Sequence, residues 1–171
     1  DIPRIFDPLD PDTRRTVESF QFQWERFPEY NELGEPREQE LFLDFAGRPD
    51  GWWAGKRVLD AGCGPGWFAE FLAAKGAEVV AVDLTGAVDI GARRCRGGNP
   101  SFVQADLTRL PFRDAVFDYT YCYRVIQHTR DTRAALRHLV RVTRPQGTVA
   151  VTHYGPIRVL KHVYDVGRAL T

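Results

Sequence analysis

The stretch Val58-Leu59-Asp60-Ala61-Gly62-Cys63-Gly64-Pro65-Gly66 runs from an apolar strand into an acidic side chain and three glycines at alternate positions. Glycines let the backbone turn sharply and approach a ligand with no side chain in the way, and the helix that follows offers unpaired N–H groups. A second apolar run, Val79-Val80-Ala81-Val82, ends in Asp83, about twenty residues beyond the glycines, where a carboxylate can accept hydrogen bonds from both hydroxyls of a ribose. The pair points to a nucleoside ligand. A nicotinamide dinucleotide is the rival, but the spacing is G-x-G-x-G rather than G-x-G-x-x-G, and Asp60 puts negative charge where a pyrophosphate would approach. A ligand carrying cationic groups suits that turn better. Downstream, His128 has the near-neutral basicity of a general base for a hydroxyl or an acidic carbon.

These residues need a scaffold that brings the ends of several strands together. The chain has 171 residues, 43% of them hydrophobic, enough for one substantial core. Its 23 basic and 23 acidic side chains balance, so no overall field draws it to nucleic acid or to an anionic membrane. Cys63, Cys95 and Cys122 show neither the C-x-x-C spacing of a zinc site nor the density of a disulfide scaffold, which fits a reducing, cytoplasmic setting with no metal. No apolar run approaches the roughly 18 residues of a membrane span. Methionine is absent even at position 1, as expected of a fragment or of a sequence from which residues are omitted.

From Gly51 onward, short apolar runs ending in acidic or glycine residues alternate with helix-like stretches, the pattern of βαβ units in a parallel sheet. Strands are expected at Lys56–Ala61, Glu78–Val82, Ser101–Gln104, Val116–Cys122 and Thr148–His153, with helices at Trp67–Lys75, Ala87–Arg96 and Asp131–Thr143. In the last of these, Leu136, Leu139, Val140 and Thr143 share a face to dock on the sheet, with Arg133, Arg137 and Arg141 turned outward. Residues 1–50 form a smaller helical or lid segment, with helices near Asp12–Phe22 and Glu35–Phe45, the second packing Leu41, Phe42 and Phe45 on the core. A further helix is expected over Arg158–Leu170.

Asp60-x-Gly62-x-Gly64-x-Gly66 followed by Asp83 resembles the first two motifs of the class I S-adenosylmethionine-dependent methyltransferases. The resemblance extends from about Val58 to Val151, through Gln104-Ala105-Asp106-Leu107, Leu110-Pro111-Phe112, Phe117-Asp118 and Arg144-Pro145-Gln146-Gly147, where Gln146 replaces the more usual glycine. It implies a doubly wound α/β sheet in three αβα layers, with residues 51–171 as the cofactor-binding core. It also implies S-adenosylmethionine as cofactor and S-adenosylhomocysteine as product. The turn around Asp60, Gly62, Cys63, Gly64 and Gly66 would hold the methionine part, Asp83 the ribose, and Leu84, Asp106 and Leu107 the adenine. Tyr123 would lie beside the sulfonium, with Tyr121 and Trp67 nearby. Trp24 would stack on the ligand from the N-terminal segment, and Arg26 would pair with its carboxylate.

Tyr121-Cys122-Tyr123-Arg124-Val125-Ile126-Gln127-His128-Thr129 resembles the segment after the fourth strand in small-molecule methyltransferases, with Gln127 at the first histidine of the usual pair. It makes His128 and Tyr123 the catalytic candidates, with His153 and Tyr154 also near the substrate. The Asn/Asp-Pro-Pro-Tyr/Phe motif associated with amino groups of nucleic bases or glutamine is absent. The expected substrate is therefore a small molecule methylated on a hydroxyl, carbon or amine. The family's last two strands have no counterpart in this reading, so a sheet edge would be left unpaired and would favour a homodimer or a partner protein. The alternative is a cofactor-binding module without catalysis, serving as a subunit of a larger assembly.

Overall fold

A computed structural model of the chain describes residues 1–27, 36–95, 97–154 and 159–165. In chain order its elements are β1 (Arg4–Ile5), α1 (Pro11–Arg26), α2 (Pro36–Ala46), β2 (Arg57–Ala61), α3 (Trp67–Ala74), β3 (Glu78–Asp83), α4 (Ala87–Arg94), β4 (Ser101–Ala105), β5 (Phe117–Tyr123), α5 (Thr132–Val142), β6 (Thr143–Tyr154) and β7 (Val159–Asp165). The sheet order is β1-β4-β3-β2-β5-β6-β7, parallel throughout except for β7. Strand order reverses at β2, which pairs with β3 on one side and β5 on the other. Such a switch point opens a crevice at the carboxyl ends of the strands. The expected doubly wound, mostly parallel sheet is the one observed.

The central strands are buried on both faces, as their near-continuous apolar runs require. One face packs Phe42, Trp53, Phe68, Leu72, Tyr119 and Tyr121, and the other packs Leu59, Val82, Leu110, Leu139 and Val142. A register shift between Phe117 and Tyr119 lets those two rings enter opposite layers. Of the apolar positions of α2, Phe42 and Phe45 are buried while Leu41 is exposed. Phe42 stacks on Phe68 with centroids 4.3 Å apart and meets Tyr121 edge-on at 5.0 Å. Among the described residues no helix is long and apolar enough to cross a membrane.

Three local expectations are corrected. The N-terminal segment is not purely helical, because β1 pairs with Gln104 and Ala105 at the sheet edge. The described part of Arg158–Leu170 is the strand β7, antiparallel to β6. The backbone groups of β6 seek partners there, and Val159 and Val163 suit an extended chain. With β1 at one edge and β7 at the other, the sheet has two strands more than the five expected from the sequence. The third correction concerns α5, which buries Ala135, Leu139 and Val142 and leaves Leu136 and Val140 exposed. Small Ala135 lets the helix approach the sheet, and Arg141 is drawn down to Asp114 at 2.7 Å and to the carbonyls of Leu110 and Phe112. Both rotate the helix away from the expected face.

Gln146 takes φ 66° in β6, within the Thr143–Thr148 stretch where the strand bulges out of register with β5 and turns sharply. The left-handed region costs a residue with a Cβ roughly 1–2 kcal/mol, against roughly 0.5–1 kcal/mol for the extra entropy that glycine loses on folding. Gln146→Gly is accordingly expected to stabilise the chain by up to about 1 kcal/mol, a rise of a few degrees in thermal midpoint by calorimetry. A lower midpoint would refute this account of the turn.

Candidate functional site

At the carboxyl ends of β2 and β3 the chain turns through Gly62, Gly64 and Gly66, with φ of 89°, 51° and 79°. The turn is tied down by its own backbone. Gly62 and Cys63 N–H both donate to the Val82 carbonyl, at 2.7 and 2.9 Å, and Gly66 N–H donates to that of Cys63 at 2.8 Å. A side chain at Gly62 would overlap Val125, and one at Gly64 would meet the Trp24 indole at 3.1 Å. The turn thus presents bare backbone to the space beneath α1. Gly66 differs from the other two: a Cβ there would lie 2.6 Å from the Phe102 ring, and Gly66 does not line the cavity. It caps α3 and permits close helix–strand packing.

Two carboxylates flank this turn. Asp83 Oδ2 accepts from Gly64 N–H at 2.8 Å, while Oδ1 accepts from the N–H and hydroxyl of Thr85, each at 2.8 Å. Oδ2 keeps an acceptor site for a ligand hydroxyl, and Oδ1 gains one where the Thr85 hydroxyl rotates away. Burial raises the pKa of Asp83 despite these bonds. Asp60 is 4% exposed, and burial is the main cause that pushes it up to about 7, the Asp83 charge adding to the rise and the Tyr121 hydroxyl opposing it. Burial beside the two carboxylates also raises Cys63, which leaves its thiol unreactive. A positive charge brought beside Asp60 would favour its ionised form.

The cavity above the turn measures about 330 Å³, within the range of small-molecule sites. Its floor includes Asp60, Gly62, Cys63, Gly64, Asp83, Leu84, Asp106 and Leu107, and Tyr123 and His128 stand on its walls. All of these, with Trp24, are sequence candidates that the fold brings together. Leu84 is fixed by its carbonyl, which accepts from Gln104 Nε2 at 2.9 Å, and Asp106 by the Thr108 N–H at 2.8 Å. Tyr123 is wedged edge-on against Phe42 and Phe68, at 5.8 and 5.3 Å. Other candidates fall outside the lining. Tyr121 lies fully buried, Trp67 sits under Arg94, whose guanidinium is 3.6 Å from its ring, Arg26 ends α1, and His153 gives way to its neighbour Tyr154.

The roof comes from α1, held by Gln21, whose Oε1 accepts from Gly86 N–H at 2.7 Å. Thr13, Val17, Phe20 and Trp24 line the cavity together. Their spacing of 4, 3 and 4 residues puts them on one helical stripe, a signal present in the sequence, where only Trp24 is singled out. On the far wall His128 Nε2 lies 3.0 Å from the Tyr154 hydroxyl, and Phe20 meets the imidazole edge-on at 5.0 Å. Burial lowers the pKa of His128, so it is neutral near pH 7 and able to take a proton. Arg124 and Arg130 add two cations to the rim, pairing with Glu38 at 3.4 Å and Asp106 at 3.7 Å.

Residues 59–151 match the family model described as a methyltransferase domain. The chain is 40% identical over 95 residues to the malonyl-(acyl-carrier protein) O-methyltransferase of Erwinia billingiae, covering 56% of this chain and 38% of that protein. Over 117 residues it is 36% identical to the demethylmenaquinone methyltransferase of Clavibacter sepedonicus, covering 66% and 48%. It therefore spans less than half the length of either relative. Among solved structures, the magnesium protoporphyrin IX methyltransferase of Synechocystis, determined with S-adenosylmethionine bound, superposes with a TM-score of 0.69 at 21% identity, covering 91% of this chain and 82% of that one. At that identity the likeness is one of fold.

Proposed function

The chain belongs to the class I S-adenosylmethionine-dependent methyltransferases, and we propose from that premise that it binds S-adenosylmethionine under α1 and directs its methyl group to a small-molecule acceptor. One observation carries the reading: two carboxylates, the buried Asp60 and the half-buried Asp83, flank a bare glycine turn at the switch point of the sheet. Asp83 is assigned to the ribose hydroxyls, and Leu84, Asp106 and Leu107 to the adenine. Asp60 with the backbone of Gly62, Cys63 and Gly64 takes the methionine part. Trp24 closes the roof, and Tyr123 offers its ring face to a cation.

The cofactor supplies an electrophilic methyl group on a sulfonium, so the protein's task is to hold two reactants in line and exclude water. The stripe on α1 and the Phe42–Phe68–Tyr123 cluster supply the dry walls. For an acceptor that must lose a proton, neutral His128 takes it, and the Tyr154 hydroxyl orients the imidazole through Nε2. The relatives named above act, by their names, on a malonyl group carried by a protein and on demethylmenaquinone. Both names fit an acceptor oxygen or carbon at this rim.

Isothermal calorimetry of the chain with S-adenosylmethionine and S-adenosylhomocysteine tests the reading. Micromolar binding of both is expected, and Trp24→Ala should weaken it about fivefold to tenfold, as the loss of one aromatic contact would. No binding by a folded chain would refute the assignment. Saturable binding with no labelled product from metabolite extracts would instead favour a binding module without catalysis.

A further inference from the structure

The outward face of α5 has a composition that the methyl-transfer site does not account for. Leu136 and Val140, four residues apart, are 37% and 42% exposed. Together with Arg133, Arg137 and Arg141 they line a shallow depression on the surface. Arg141 is engaged inward by Asp114 and two carbonyls, whereas Arg133 and Arg137 have no ion-pair partner among the described residues. From Thr132 to Val142 the helix has no acidic side chain. Asp131, just before it, is occupied as the N-cap, accepting from Ala134 N–H at 2.8 Å. In a chain of zero net charge, this is a local cationic face with an apolar centre.

Its position gives it meaning. His128, Thr129 and Arg130 line the cavity, and α5 starts directly after them. At 1.5 Å per residue the Leu136–Val140 patch lies roughly 6–12 Å along the helix from its first residue, Thr132, two positions beyond the rim. A partner seated there would stand beside the mouth without blocking it.

We propose that this face docks an acidic protein that carries the methyl acceptor on a flexible arm. The inference rests on the methyl-transfer reading and extends it to the acceptor's carrier. Charge complementarity selects the partner: carboxylates would meet Arg133 and Arg137 in two-point bonds, and an aliphatic side chain would cover Leu136 and Val140. Arginine beside a small apolar centre is the composition of a protein interface. A membrane surface fits less well, since the helix spans only 11 residues and offers no aromatic side chain on this face to enter the acyl boundary.

The experiment titrates the full chain, saturated with S-adenosylhomocysteine, with an acyl-carrier protein bearing a malonyl group, and separately with vesicles of anionic phospholipid. Binding to the carrier protein is expected, weakened at least about tenfold on raising salt from about 0.05 to 0.5 M. Arg133→Glu with Arg137→Glu should abolish it, while Arg133→Lys with Arg137→Lys should retain most of it. S-adenosylhomocysteine affinity, measured in parallel, should not change in either variant. Absence of carrier binding, binding indifferent to charge reversal, or binding to vesicles alone would overturn the proposal. Because cofactor binding is read separately, its loss in the unaltered chain would count against the methyl-transfer reading instead.

Discussion

Asp83→Ala is expected to weaken the binding of S-adenosylmethionine and S-adenosylhomocysteine by about a hundredfold or more. Two ribose hydroxyls donating to one half-buried carboxylate contribute roughly 1.5–3 kcal/mol each, and each 1.4 kcal/mol is tenfold. Alanine also removes the acceptor that Gly64 N–H uses at 2.8 Å and the one that holds Thr85. The turn thus loses its anchor together with the ligand. Asp83→Asn separates charge from shape: one amide oxygen cannot serve both Gly64 and Thr85, and its NH2 would face a donor. Asparagine should therefore bind nearly as poorly as alanine. Calorimetry with S-adenosylhomocysteine is the measurement, with circular dichroism as the check on folding. An affinity for either variant within about threefold of the unaltered chain would remove Asp83 from the site.

The parts of this site legible in the sequence are those whose chemistry is local. An acid followed by glycines at alternate positions, at the end of an apolar run, constrains backbone and ligand together. Hence Asp60, Gly62, Gly64 and Asp83 are found from residue type and spacing, and the strands that bear them follow from their apolar runs. Gly66 lies in the same pattern but serves the packing of α3 against Phe102, which spacing alone does not distinguish from ligand contact. The roof is less legible, because Thr13, Val17 and Phe20 acquire a role only when α1 is laid over the turn by a long-range bond between Gln21 and Gly86. The orientation of α5 depends on how closely Ala135 lets it approach and on where Arg141 finds carbonyls. Periodicity does not record either. The strand at Val159–Asp165 is a similar case, in which pairing with β6 overrides a locally helical pattern.

Asp60→Asn is expected to separate stability from binding in opposite directions. In the ligand-free chain the Asp60 carboxyl has its pKa raised from 3.8 to about 7, chiefly by burial. The folded state then binds more protons than the unfolded one between about pH 4 and 7, so this group's contribution to stability is full below that window and is lost as pH rises through it. Above pH 7 the ionised carboxylate costs the fold on the order of 4 kcal/mol. Asparagine has no charge to desolvate. The variant's melting temperature should therefore exceed that of the unaltered chain at pH 8, and the gap should close as pH falls toward 4. Binding should move the other way, with S-adenosylmethionine held at least about tenfold more weakly by the variant at pH 8. In the unaltered chain, affinity should rise from about pH 5.5 to 7 as the carboxyl ionises to meet the cation. Below pH 7 the heat of binding should vary with the buffer's ionisation enthalpy, because a proton is released. Asp83 is also raised by burial, so only the portion of this dependence that Asp60→Asn removes belongs to Asp60. An unchanged profile in the variant would assign the cation to Asp83 and leave Asp60 a structural acid beneath the turn.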